Sequence, residues 1–130
     1  MREILFRGKC GNKWHYGDLY TQSNTPQIIA YNKKYDKMDT AFVDPETVGQ
    51  YTGLTDKNGV KIFEGDIVTI PDTKKMGLPA PIRYDYVRAT FEVSRSGYNP
   101  LSLIDAREFY EVIGNIHDNP EILEEGGGQE

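Results

Sequence analysis

Cysteine is nearly missing from this chain of 130 residues: Cys10 is the only one. That excludes an intramolecular disulfide and a thiolate zinc site, both of which need cysteines in sets. Histidine is almost as scarce, with two residues, His15 and His117, at opposite ends of the chain and without ligand spacing. No apolar stretch approaches the about 20 residues that a membrane helix needs. Met1-Arg2-Glu3-Ile4 places a charge pair where a secretory leader carries its apolar run, so the expected location is the cytoplasm. Positive charge is not in excess either. Fifteen Lys and Arg stand against 20 Asp and Glu, a net charge of −5. Such a field repels phosphate backbones overall, while leaving room for a local basic patch.

What the chain does have is aromatic and β-branched residues. Nine Tyr and five Phe, with many Val and Ile, favour strands over helices. The first half reads as short strands between polar turns. Ile4-Leu5-Phe6 is followed by a turn at Gly8, Gly11 and Asn12. Trp14 to Tyr20 forms a second strand with Trp14 and Tyr16 on one face and Gly17 at a possible bulge. Gln27-Ile28-Ile29-Ala30-Tyr31 is a third. A hydrophilic loop is expected over 32–40, then Ala41-Phe42-Val43 before Asp44-Pro45.

The middle carries the sharpest local signal. Asn58-Gly59 lies between Tyr51-Thr52-Gly53-Leu54 and Val60-Lys61-Ile62-Phe63, the pattern of a hairpin with a type I′ turn. Glu64-Gly65-Asp66 makes a second tight turn into Ile67-Val68-Thr69-Ile70. Three prolines and a glycine over 71–83 argue for an exposed loop. Val87, Ala89, Phe91 and Val93 then alternate with Arg88, Thr90 and Glu92, as a half-buried strand does. Further strands are expected at 101–104 and 109–113, with 105–108 open to either a strand or a helical turn. Asn119 and Pro120 announce a short helix through Glu124.

The expected fold is therefore mainly β. A small SH3-like barrel in the C-terminal half (53–125, including the short terminal helix) packs with an N-terminal β subdomain (1–52), and 126–130 form a disordered tail.

Several runs are also specific. Phe42-Val43-Asp44-Pro45-Glu46-Thr47-Val48-Gly49-Gln50-Tyr51-Thr52-Gly53-Leu54-Thr55-Asp56-Lys57-Asn58-Gly59, continued by Lys61-Ile62-Phe63-Glu64-Gly65-Asp66-Ile67-Val68, resembles the central signature of the YopX family of phage and prophage proteins. Met1 to Gly8 is similar to the family's opening, Trp14-His15-Tyr16-Gly17-Asp18-Leu19 to its Trp-x-Tyr-Gly-Asp element, and Glu111 to Leu123 to its closing motif. The four blocks occur in order along nearly the whole chain. The resemblance implies an all-β fold with an SH3-like C-terminal part. It implies no activity, and no site residue is carried over from it.

Each chemical reading of the residues has a plainer competitor. His15 with Asp18 could be a dyad, but no nucleophile is marked nearby, and alternation turns His15 away from Trp14. His117, just ahead of the terminal helix, reads as a surface residue. Asp56, Asn58 and Gly59 lack the bidentate glutamate of a calcium loop, since Gly65 stands in its place. Asp56, Glu64 and Asp66 at tight turns are explained by turn geometry. Gly49, Gly53, Gly59 and Gly65 form no phosphate loop. Lys33, Lys34, Lys37, Lys74, Lys75, Arg83, Arg88 and Arg95, with Tyr84, Tyr86 and Tyr98, are the candidates for a nucleic-acid surface on a barrel face, against the commoner role of keeping a protein soluble.

The expectation is thus a non-enzymatic accessory protein with no catalytic residue, cofactor or metal site. Its partners are expected to be further copies of itself and an unidentified phage or host protein. Nucleic acid is the alternative, and no membrane is involved.

Overall fold

The computed structural model describes residues 1–69, 79–93, 101–102 and 108–128, with side chains at all of these except 101–102 and 125–128. The chain divides into two compact units, Met1–Tyr51 and Thr52–Glu130, both built on antiparallel β structure.

The first unit is a meander that returns on itself. Strands β1 (Phe6–Cys10), β2 (Lys13–Tyr20), β3 (Gln27–Asn32) and β4 (Lys37–Phe42) follow one another. Strand β5 (Gly49–Thr55) then comes back beside β1, giving the order β4-β3-β2-β1-β5. Polar side chains secure that return. Asp44 caps a 3-10 turn, Pro45–Thr47, by accepting the Glu46 N–H, with Pro45 in the first turn where its missing N–H costs nothing. The Thr47 hydroxyl accepts from Lys9 N at 2.8 Å and donates to Asp44 O at 2.7 Å. Asp44 N donates to Lys9 O at 2.8 Å. Val43, 2 % exposed, is thereby pressed onto β1 at Gly8, where a Cβ would stand 2.6 Å from a Val43 methyl. The buried apolar content of this unit is small, with Ile28, Val43 and Tyr51 below 9 % exposure.

Strand β4 corrects the hydrophilic loop expected over 32–40. It pairs residue for residue with β3, from Gln27↔Phe42 to Asn32↔Lys37. A strand at the edge of a sheet with little burial has no need of apolar residues, so composition conceals it.

In the second unit, β6 (Lys61–Phe63) belongs with the end of β5. Strands β7 (Asp66–Thr69), β8 (Ala80–Asp85), β9 (Thr90–Val93), β10 (Leu101–Ser102) and β11 (Glu111–Asn115) make a second sheet in the order β10-β9-β8-β7-β11. Helix α1 (Pro120–Gly128) follows, and its last turn includes 126–128 of the expected tail. The closed barrel expected for 53–125 is not formed. The chain changes sheets at Gly65, whose N–H donates to Ile82 O and whose carbonyl accepts from Ile116 N, both at 2.9 Å. Strands β6 and β7 therefore part instead of continuing one ladder, and the described strands of the second sheet end openly at β10 and β11. Its core joins Ile62, Val68, Ala80, Ile82, Val93 and Tyr110, with Leu54, Phe91 and Val112 packed against them. Each fully buried Ile or Val there contributes roughly 1.5–3 kcal/mol.

Two further expectations are corrected here. Pro81 was placed in a loop and lies buried in β8 opposite Ile67; among the described residues β7 and β8 pair there and at Val68↔Ala80, at the start of β8, where a proline is tolerated. The alternation from Val87 to Val93 is broken by a turn. Asp85 Oδ1 accepts from Val87 N at 2.9 Å and Arg88 N at 3.3 Å, Ala89 takes φ 54°, and β9 starts only at Thr90. Phe109 and Tyr110 likewise precede β11 instead of leading it. Residues 70–78 and 103–107, with the loop and the strand-or-helix alternative expected there, lie outside the described residues.

Asp56 fixes the hairpin between β5 and β6. Its carboxylate, in a residue 5 % exposed, accepts three backbone N–H groups: Asn58 at 2.8 Å, Val60 at 2.9 Å and Val112 at 3.0 Å. Gly59 has φ 83°, whereas Asn58 does not have positive φ. With Gly59 N bonded to Asp56 O and Asp56 N to Val60 O, the turn is a type I turn followed by a left-handed glycine, not type I′. Gly59→Val is expected to lower stability by more than about 1 kcal/mol, because a β-branched residue resists that φ. Asp56→Ala is expected to cost more, about 3 kcal/mol, since it strands several donors in a partly buried setting. Urea unfolding midpoints check both; an Asp56→Ala variant as stable as the parent would contradict this account of the hairpin.

Candidate functional site

Side chains of a strand alternate between faces, and directly paired residues share one. The registers of β1 with β2, β2 with β3, and β3 with β4 therefore sort the first unit into two faces. One face carries Arg7, Lys9, Trp14, Tyr16, Tyr20, Ile29, Tyr31, Met38, Thr40 and Phe42, and it is the aromatic one. Tyr16, Tyr20, Tyr31, Met38 and Phe42 are between 42 and 58 % exposed, five large side chains on three adjacent strands. Open apolar patches of this kind are where interaction surfaces are commonly found.

Toward β1 it is bordered by Lys9 and by Arg7, which is only 5 % exposed. The Arg7 guanidinium lies 4.7 Å above the Trp14 ring and Lys9 Nζ lies 5.9 Å from it, which holds the indole by cation–π attraction. At the tip of the β3–β4 hairpin, Asn32 Oδ1 accepts from Lys34 N at 3.1 Å and Tyr35 N at 3.3 Å. The Tyr31 hydroxyl donates to Asp36 Oδ1 at 2.6 Å. That bond to a carboxylate, with a smaller part from burial, raises the Tyr31 pKa, because a phenolate there would face the Asp36 charge. Lys34 and Lys37 stand 5.2 and 5.9 Å from the Tyr35 ring.

The opposite face holds Gly8, His15, Gly17, Leu19, Ile28, Ala30, Asp39 and Ala41. A shallow cavity of about 340 Å³ lies there, with Lys13, His15 and Asp39 around Ile28, Ala30 and Ala41. Asp39 is already engaged by Asn32 Nδ2 at 2.9 Å and Lys37 Nζ at 4.0 Å.

Among the described residues, those weighed for chemistry are not gathered at one place. His15 and Asp18 fall on opposite faces of β2 by register. The two oxygens of Asp56 are taken by backbone donors, and Asp66 Oδ2 accepts from Phe63 N at 2.7 Å. Among the described residues, no three of His, Cys, Asp and Glu gather as metal ligands do. His117 sits in a turn whose geometry Asn115 sets, its Oδ1 accepting from His117 N at 3.0 Å and Asp118 N at 2.9 Å. Asn119, placed by sequence as a helix cap, turns its side chain back to accept from Asn115 N at 3.2 Å, while its carbonyl accepts from Ile122 N. Arg83 is exposed, Arg88 pairs with Asp85 at 3.8 Å, and Tyr84 meets Tyr86 edge-on at 5.0 Å. Lys74, Lys75, Arg95 and Tyr98 lie outside the described residues. Met38, Thr40 and Phe42 were missed as a set; their alternation with Lys37 and Asp39 was the available signal, obscured by the polar run before it.

The family model of the YopX protein matches residues 5–124. The chain belongs to the YopX family. The resemblance read from the four sequence blocks is thus borne out. A crystal structure of protein EF1440 from Enterococcus faecalis is similar to this YopX family member at 27 % identity and a TM-score of 0.58, covering 95 % of this chain and 99 % of that one. No curated protein matches the chain.

The Trp-x-Tyr-Gly-Asp element has a physical reason at its glycine. A Cβ on Gly17 would run into the Ile29 carbonyl oxygen and approach the carbonyl carbon to 2.9 Å, so β2 and β3 meet only if this position is bare. Backbone atoms have no rotamer with which to move aside. Gly17→Ala is expected to destabilise by about 1–3 kcal/mol, read as a lower thermal midpoint; an unchanged midpoint would contradict the close approach.

Proposed function

We propose that the protein is a phage- or prophage-encoded accessory protein acting in the host cytoplasm as a non-enzymatic binding or assembly module that associates with copies of itself. The observation that carries this reading is the aromatic face of the first unit. Tyr16, Tyr20, Tyr31, Met38 and Phe42 each leave more than two-fifths of their surface open, in a unit with few buried apolar side chains of its own. A β unit of about fifty residues is marginal alone, and closed symmetric association is the usual way for such a unit to gain buried area. Aromatic residues and Met are also enriched at the centres of interfaces. Membership of the YopX family supports a phage lineage, as the sequence resemblance implies. No helix among the described residues is long and apolar enough to cross a membrane. A second partner of phage or host origin is compatible with the same module and would dock beside the self-association surface.

A nucleic-acid role is the second reading, favoured by the lysines beside the exposed Tyr35, an arrangement suited to stacking on single-stranded bases. The SH3-like character implied for the C-terminal part would then supply an accessory surface.

Light scattering coupled to size exclusion at low micromolar concentration separates these readings. Self-association predicts a mass of at least twice the 14.8 kDa chain, reduced toward one chain by Phe42→Asp with the circular dichroism unchanged. A single-chain mass combined with sub-micromolar, salt-sensitive binding of single-stranded DNA would replace the first reading by the second.

A further inference from the structure

The aromatic face ends at β4, which among the described residues pairs only with β3. An edge strand offers unpaired N–H and C=O groups, and natural sheets blunt such edges with prolines, bulges or charges. Strand β4, Lys-Met-Asp-Thr-Ala-Phe, has no proline and keeps an unbroken register with β3. Its two charges, Lys37 and Asp39, lie on the face opposite the aromatics and stand 4.0 Å apart, so they cancel locally.

We propose that β4 is the dimerisation edge: two copies pair antiparallel along β4, with Thr40 facing Thr40 of the second copy on the two-fold axis. This rests on the self-association reading and adds where and in what register it occurs. The register follows from the pleat. A symmetric antiparallel pair must place residues of the same face opposite one another, so the axis passes through a residue and not between two. Axes at Met38 or Ala41 would pair only three residues of β4, because the hairpin turn or the exit toward Val43 lies beyond. An axis at Asp39 would pair five residues but set two carboxylates directly opposite, which is destabilising. An axis at Thr40 also pairs five and sets Met38 against Phe42 of the other copy, twice, with a Thr pair between them. Apolar contacts and a Thr–Thr pair are the favourable cross-strand combinations. Met38 and Phe42, 52 and 58 % exposed in the single chain, gain cover on the aromatic face. The two copies then present one continuous aromatic surface across the seam.

The geometry allows a direct test. Opposed residues of an antiparallel pair have Cα atoms about 4.5–5.5 Å apart, within the roughly 4.4–6.8 Å that a disulfide spans. Residues 38 of the two copies would be about 13 Å apart along the strand, out of reach. With Cys10→Ser removing the native thiol, Thr40→Cys is expected to oxidise so that most of the chain runs at twice its mass on a non-reducing gel. Met38→Cys in the same background is expected to give at least tenfold less cross-linked product. In parallel, Thr40→Lys is expected to reduce the light-scattering mass to one chain with the circular dichroism retained. A parent protein of dimeric mass in which Thr40→Cys fails to cross-link, or in which Met38→Cys cross-links equally, would overturn the β4 register and leave self-association standing. A parent of single-chain mass at high micromolar concentration would overturn both.

Discussion

A buried carboxylate is tolerated only when hydrogen bonds replace its lost water, and Asp56 satisfies that condition with backbone donors alone. One oxygen takes the N–H groups of Asn58 and Val60 and shapes the hairpin; the other takes Val112 and fastens the last strand. A single side chain thus joins segments more than fifty residues apart in sequence. The same economy recurs at other reversals, where Asn32, Asp44, Asp85 and Asn115 each accept from N–H groups within the next three residues. Short polar side chains, more than apolar volume, define where this chain turns.

That division of labour has a consequence for the first unit. Its return segment is anchored by Thr47 and Asp44 to Lys9 and by Val43 seated on Gly8, and Ile28 is buried. On the face opposite Ile28, over β2, β3 and β4, the tyrosines, Met38 and Phe42 remain open. The exposed aromatic face and an edge strand in unbroken register with β3 are the basis of the proposed association with a second copy. The acidic balance of the chain, net −5, keeps the rest of the surface from non-specific association.

Much of this was legible in the residues. The strands around Trp14, Ile28, Leu54 and Ile67 follow from β-branched and aromatic runs between turn residues, and the family blocks coincide with positions that geometry constrains: Gly17 against Ile29, Asp44 and Thr47 at the return, and Asp56 at the hairpin. The failures have physical causes. Period-2 alternation from Val87 to Val93 cannot show that Asp85 diverts the backbone into a turn. Pro81 reads as a strand breaker when only its own segment is weighed, because its pairing with Ile67 of β7 is remote in sequence. A strand with polar residues on one side and half-exposed ones on the other, such as β4, resembles a loop when only composition is weighed. The separation of β6 from β7 at Gly65 depends on hydrogen bonds to Ile82 and Ile116, both remote in sequence, and so the open sheets in place of a barrel were not legible.

The central claim is that the first unit completes itself against a second copy along β4. Hydrogen–deuterium exchange of the peptide covering Lys37 to Phe42, measured from nanomolar to high micromolar protein, tests it without any substitution. Amides that point outward from β4 are expected to exchange freely at the lowest concentration and to become protected as concentration rises, while the β3 amides bonded to β4 stay constant. Exchange in β4 that is independent of concentration throughout that range would contradict the account.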